Sequence, residues 1–188
     1  MDASSDARER VLHVAEHLFS ERGYTAVTLR DLAQALHMKQ ASLYHHAPGG
    51  KEELFVTVTE RSFYRHQQAL TAAIAAAGPA LPAQLQAVGQ WLLAQPPINV
   101  ARLTRSDLPA LSPAHAHRLA QLTGETLLAP LQRMFTAANV TRPDPTALAG
   151  YFLFLMEAIH DAQRYTNQAP TAMLNDVIAL LLEGVERR

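Results

Sequence analysis

The 188-residue chain contains no cysteine, so a disulfide framework and a thiolate metal site are both excluded. An excess of either charge is also missing. Sixteen Lys and Arg face 17 Asp and Glu, for a formal net charge of −1. Bulk positive charge, the usual electrostatic footprint of a nucleic-acid binder, is absent at the level of totals. The first 50 residues repeat that balance, with Arg8, Arg10, Arg22, Arg30 and Lys39 against six acids. Positive groups that meet a polyanion must therefore be placed locally. Long apolar runs are lacking too. The strongest candidate, "YFLFLMEAIH", is about half the roughly 20 residues that a membrane span needs. The opening "MDASSDARER" is polar and carries both charge signs, unlike a secretory leader. These absences lead us to expect a soluble, cytoplasmic protein with no membrane partner.

Strand-type alternation is almost missing as well, and what is present is helical. Apolar residues make up 48% of the chain and recur at spacings of three and four, which defines an all-α class of about nine helices. A first helix is expected from Asp6 to Arg22, stopped by Gly23. A second opens at Thr28, where Thr28 and Asp31 form a capping-box pattern. A short third runs from near Lys39 to before Pro48. A long fourth covers residues 51–77. Pro82 to Gln95 follows, then a shorter element from Ile98. Ser112-Pro113 and Asp144-Pro145 each read as an N-cap followed by proline at the first helical position. They open helices over 112–139, with a bend expected at Pro130, and over 144–165. The last helix is expected from Pro170 to the C-terminus. The final two helices are apolar on more than one face, as Tyr151, Phe152, Phe154, Leu155 and Met156 illustrate. A surface helix needs one apolar stripe, so burial from both sides is expected, either inside the monomer or, the favoured reading, in a subunit interface through about 144–166 and 170–187.

Chemistry concentrates between Thr28 and Lys51. Two helices joined by a tight turn, the second short and polar on one side, describe a helix-turn-helix. Gln40 can contact adenine in a bidentate manner. Ser42, Tyr44, His45 and His46 can donate to phosphate oxygens, and Lys39 and Lys51 can neutralise phosphate charge. Ala41 allows close approach, and Leu43 anchors the helix to the core.

The residues "AEHLFSERGYTAVTLRDLA", then "SLYHH", then Lys51-Glu52 resemble the DNA-binding domain of the TetR family of transcriptional regulators. The likeness runs from Val11 to Phe55. It implies a helix-turn-helix domain over 1–50 and a helical effector-binding and dimerisation domain over 51–188, joined by the long fourth helix. It implies a homodimer on a palindromic double-stranded DNA operator, most simply a repressor that a small molecule releases. By position, Thr28 and Arg30 lie near the DNA backbone, Gln40, Ala41 and Ser42 face bases, and Tyr44, His45 and Lys51 clamp phosphates. Three departures stand out. His37 occupies the turn position usually held by glycine, where a positive φ is needed. Lys39 replaces the usual Ser or Thr cap. Ala47 replaces the usual Phe, before a "PGG" connector one residue longer than common. They motivate a second reading, an all-α ligand-binding or interaction protein that has lost DNA binding.

Other readings are weaker. Pro48-Gly49-Gly50-Lys51 lacks the glycine, the following Ser or Thr, and the preceding strand of a phosphate loop. His45 and His46 point about 100° apart on a helix, and His115 and His117 are poorly spaced, so no metal or other cofactor is expected. For the effector, Tyr64, Trp91, Phe135, Phe152 and Met156 are candidate cavity residues, although core packing is the commoner role of each. His160 joins them as a polar candidate. Arg102, Arg105 and Asp107 either meet a polar ligand group or form a solvated run. The apolar balance points to a largely hydrophobic effector. No hydrolase or metalloprotease motif appears, so the chain is not expected to be an enzyme. An all-α enzyme using buried His160 and Asp161 is the remaining catalytic possibility.

Overall fold

The computed structural model describes residues 3–187. Met1, Asp2 and Arg188, which end the two expected domains, lie outside the described residues. The chain is helical nearly throughout, as its periodicity predicts. Its elements are α1 (Ala3–Ala26), α2 (Leu29–Ala35), α3 (Gln40–His46), α4 (Gly50–Ala76), α5 (Leu81–Leu93), α6 (Val100–Arg102), α7 (Pro113–Leu122), α8 (Ala129–Ala137), α9 (Pro145–Ala162) and α10 (Pro170–Glu183). Two compact units emerge. The first runs up to Phe63 and takes in Asn99–Leu122, and the second is Tyr64–Ile98 with the chain from Thr123 onward. The long helix α4 passes through the boundary.

In the first unit, Val11, Ala15, Leu18 and Phe19 of α1 face Leu32, Leu43, Leu54 and Phe55, all buried. Regular helix in α1 stops at Gly23, whose φ of 79° and ψ of 172° belong to a region essentially open only to glycine. After α6 the chain passes through a π-helical turn, Leu103–Asp107, and a 3-10 turn, Leu108–Ala110. Leu103, Asp107 and Leu111 repeat every fourth residue, and all three are buried.

The second unit centres on Leu85, Val88, Leu131, Phe135, Leu148, Phe152 and Leu174, each fully or nearly fully buried. Gly89 lets α5 and α10 approach closely, because a Cβ there would lie 2.3 Å from Leu174 Cδ1. The helix expected over 112–139 forms without a break over 113–137, with a π-helical stretch at Thr123–Leu128 between α7 and α8. Pro130 lies inside this continuous helix and gives no N–H to the carbonyl of Thr126, which lies in the π-helical stretch. The last helix stops early, at Glu183. Glu186–Arg187 then pairs antiparallel with Val140–Arg142. This two-stranded pairing is too short to leave an alternation in the sequence.

Candidate nucleic-acid interface

The helix-turn-helix forms as its local chemistry dictates. Thr28 is extended, at φ −111° and ψ 161°, and its Oγ1 accepts from the Asp31 amide at 3.2 Å. The Thr28 amide donates back to Asp31 Oδ2 at 2.8 Å. This reciprocal box satisfies two of the donors that a helix start leaves open. The Thr28 hydroxyl and amide hydrogen bonds hold the Asp31 carboxyl below its ordinary value. At the turn, His37 adopts φ 54°, the left-handed conformation that glycine would supply. Lys39 is extended and makes no side-chain cap, yet α3 starts at Gln40. The two departures thus leave α2, turn and α3 in place.

Helix α3 has a buried side and an open side. Leu43 is 1% exposed and Ala47 just beyond it 2%. Lys39, Gln40, Ala41, Tyr44 and His45 are exposed, and Ser42 and His46 are half-buried. Thr28 and Arg30 are exposed at the start of α2. The structure therefore presents the polar residues of 39–46 on one short helix with its apolar residues turned inward.

Lys51 is held differently. Its Nζ donates to the Tyr24 carbonyl at 2.9 Å and lies 4.0 Å from the centre of the Tyr24 ring. Burial lowers its pKa, against the opposing pull of the Asp107 charge. An ammonium has three donors, and this one already uses at least one within the protein. The connector before it is a turn. The Gly49 amide donates to Glu53 Oε2 at 2.6 Å, and Gly50 has φ 70°. Glu52 and Glu53 then lie in the first turn of α4, where the helix dipole favours acids.

Three residues in the first unit make contacts that a reading of the sequence does not reveal. The Asp107 carboxylate, 2% exposed, accepts from the Tyr24 amide at 2.9 Å. Burial pushes this carboxyl up, against the pull of the Tyr24 and Thr25 amides and the Arg102 charge. Arg102 donates to the carbonyls of Ser20 at 2.7 Å, Phe19 at 3.2 Å and Glu21 at 3.2 Å, and its Nε lies 3.6 Å from Asp107 Oδ2. Of the expected solvated run, only Arg105 is exposed. Glu52 accepts from the Ser112 amide at 2.9 Å and lies 2.6 Å from His115 Nδ1. Those contacts push its pKa down to about 2. The signal for Asp107 was its place in the four-residue stripe with Leu103 and Leu111, where a charge on an apolar face calls for a partner.

The remaining candidates lie in the second unit. Phe135 and Phe152 are 0% exposed and Met156 3%, so all three are core. Trp91 and His160 are half-buried, and Tyr64 is 45% exposed. Trp91 meets the buried His66 ring edge-on, at 4.9 Å and 84°. Asp161 is exposed, and its side chain lies 4.0 Å from Arg164, which removes the buried acid that a His160–Asp161 catalytic pair requires. Among the described residues no three His, Asp or Glu side chains come together as a metal site. No helix among them is long and apolar enough to cross a membrane. An open depression of about 580 Å³ between α1 and α2, lined by Glu9, Arg10, His13, Val14, Ala35 and Leu36, contains none of the expected site residues.

Fold and site together define a helix-turn-helix protein with a larger helical body. Residues 11–58 match the family of bacterial regulatory proteins, tetR family. The chain is 41% identical over 56 residues to the uncharacterized HTH-type transcriptional regulator YxaF of Bacillus subtilis, covering 30% of this chain and 29% of that protein. It is 38% identical over 56 residues, 30% of each chain, to IcaR, the HTH-type negative transcriptional regulator of the biofilm operon icaADBC of Staphylococcus epidermidis. The matches thus span less than a third of these relatives' length. The fold extends further. The structure of AibR in complex with isovaleryl coenzyme A and operator DNA shares it at a TM-score of 0.74 and 18% identity, over 93% of this chain and 97% of that one. Residues 11–58 thus resemble the tetR family of bacterial regulatory proteins, and the rest of the chain shares the fold of such regulators.

Proposed function

We propose that the protein is a ligand-responsive transcriptional repressor, acting in the cytoplasm as a homodimer on a palindromic operator. The observation that carries this reading is the two-sided character of α3. Leu43 and Ala47 are buried while Gln40, Ala41, Tyr44 and His45 are open, behind an α2 that opens on a capping box. Residues 1–50 act as the DNA-binding domain, and 51–188 bind effector and dimerise. Gln40, Ala41 and Ser42 read base edges in the major groove. Thr28, Arg30, Lys39, Tyr44, His45 and His46 contact the backbone, and Lys51 does so with the donors that Tyr24 leaves free. Two such helices in a dimer would address half-sites roughly 34–36 Å apart.

The dimer proposal is supported by a second apolar face. Tyr151 and Phe154 on α9 are 53% and 48% exposed, and Leu180 on α10 is 70% exposed. The effector is proposed to be small and largely hydrophobic. Tyr64, Trp91 and His160 combine ring surface with access to solvent, whereas Phe135, Phe152 and Met156 contribute as the packed wall. Arg102, spent on the carbonyls of α1, is the weakest of the effector candidates. An effector acts only through its differential affinity for the DNA-competent and DNA-incompetent states.

The test is selection of genomic duplexes at low salt, followed by titration of the recovered site with salt. Recovery of a palindromic site supports the reading. Failure to retain any duplex favours the alternative, a helical ligand-binding protein without DNA binding, to which the uncapped Lys39 and the internally held Lys51 point.

A further inference from the structure

We propose that Arg102 and Asp107 are positioning residues for DNA recognition, holding the turn after α1 and through it the pose of α2 and α3. The proposal rests on the DNA-binding reading above. Both residues lie in Asn99–Leu122, a segment that folds with the helix-turn-helix although about 80 residues separate it from that turn in sequence. They grip the turn from its two electrically opposite sides. The last turn of a helix leaves carbonyls without partners, and cations are favoured there. The Arg102 guanidinium meets the carbonyls of Phe19, Ser20 and Glu21. Past Gly23 the backbone turns over and offers an amide, and Asp107 accepts it at Tyr24. The carbonyl of the same Tyr24 takes the Lys51 ammonium from α4. One residue is thereby fixed at its N–H and at its C=O by groups from two other elements.

Glycine at 23 is part of the device. A Cβ there would lie 2.9 Å from Arg102 Cδ and Nε and 3.0 Å from Asp107 Oδ1, so the gap is filled by these two side chains. Beyond the gripped residue, Val27 is fully buried and Thr28 caps α2. The direction of α2, and of α3 packed against it, follows from the turn. The two side chains meet each other only at 3.6 Å and bond instead to the backbone of the turn, so their effect here is on its orientation.

The test uses the full chain and three variants, Arg102→Lys, Asp107→Asn and the apolar pair Arg102→Met with Asp107→Leu. Three quantities are read: affinity for the selected duplex by fluorescence anisotropy, thermal unfolding, and amide hydrogen exchange over 23–46 against 145–162. The apolar pair is expected to unfold at a lower temperature, because the Tyr24 amide and the α1 carbonyls lose their partners. Its affinity is expected to fall about tenfold or more, by more than the lost stability explains. Exchange should quicken over 23–46 and stay unchanged over 145–162. Arg102→Lys, which keeps the charge but not the fork, should recover part of the affinity. Affinity within about twofold of the parent in the apolar pair and in Asp107→Asn would overturn the proposal, that being well below one charged hydrogen bond. So would a fall in affinity that only tracks lowered unfolding temperature, without selective exchange over 23–46. If the parent itself retains no duplex, the DNA-binding reading fails. The exchange measurement then decides the remainder, with unchanged protection of α2 and α3 overturning the hold on the turn and selective loss supporting it.

Discussion

Asp107 Oδ1 lies 2.9 Å from the amide nitrogen of Tyr24, across 83 residues of chain. That hydrogen bond joins the segment after α6 to the turn between α1 and α2. Its surroundings are crowded. Phe19 and Phe55 meet edge-on with ring centres 5.2 Å apart, and Tyr24 lies 5.0 Å from Phe55.

Gly23→Ala should be severe. Its φ of 79° with ψ of 172° is closed to alanine, and the added methyl would strike Arg102 and Asp107. Strain of this kind costs about 1–3 kcal/mol, with overpacking adding a similar amount. Urea denaturation should show the loss directly. A midpoint unchanged from the parent would contradict the conformation assigned to the turn.

Glu52 predicts a sign for acid sensitivity. Its folded pKa of about 2 lies below the ordinary 4.5, so the carboxylate contributes stability that is complete above about 4.5 and lost as pH falls toward 2. Asp107 acts in the opposite sense, because its raised folded pKa means that its charged form weakens the fold as pH rises through the carboxylate range. Glu52→Gln should therefore flatten the fall in stability of the parent between pH 4.5 and 2, measured by denaturation at a series of pH values. An identical pH profile would rule out the Glu52 contacts with Ser112 and His115.

Gly89→Ala tests the contact between α5 and α10. Alanine normally favours a helix interior by about 1 kcal/mol over glycine. Here the methyl would lie 2.3 Å from Leu174 Cδ1, and Leu174 is fully buried, so the net change should be a destabilisation of about 1–3 kcal/mol. In a double-mutant cycle, Leu174→Val should relieve part of it. Strict additivity would contradict the close approach.

How far the sequence announced these features depended on their reach along the chain. The Gly23 stop, the Thr28–Asp31 box and the short α3 each rest on residues a few positions apart, and each formed where the local chemistry required. The positive φ at His37 was legible for the same reason. The grip of Arg102 and Asp107 on the turn was not, because nothing local to Asp107 names Tyr24. A charged run before a proline reads as a solvated patch or a ligand contact until folding sets it on α1. The π-helical stretch at Thr123–Leu128 was hidden by a proline that seemed a sufficient cause of a bend. Lys51 was visible as a cation but not its hydrogen bond to a carbonyl 27 residues earlier.

The exposed face of α9 and α10 makes a prediction about assembly. Tyr151→Glu with Leu180→Glu should convert a dimer to a monomer in sedimentation equilibrium, because apolar side chains at the centre of an interface dominate its affinity. Their native exposure leaves the fold of the isolated chain intact. A mass that does not change with these substitutions would remove the last two helices as the interface.

The central claim, that α3 reads DNA, is tested most directly by binding of Gln40→Ala and Lys39→Ala to the selected duplex over a range of salt. Lys39→Ala should weaken all sequences alike and lower the salt slope by about one unit for each phosphate left without its lysine. Gln40→Ala should leave the slope unchanged and relax preference at one base pair in each half-site, with discrimination there reduced by about 1–3 kcal/mol. Parent-like slope and parent-like base preference in both variants would contradict the account.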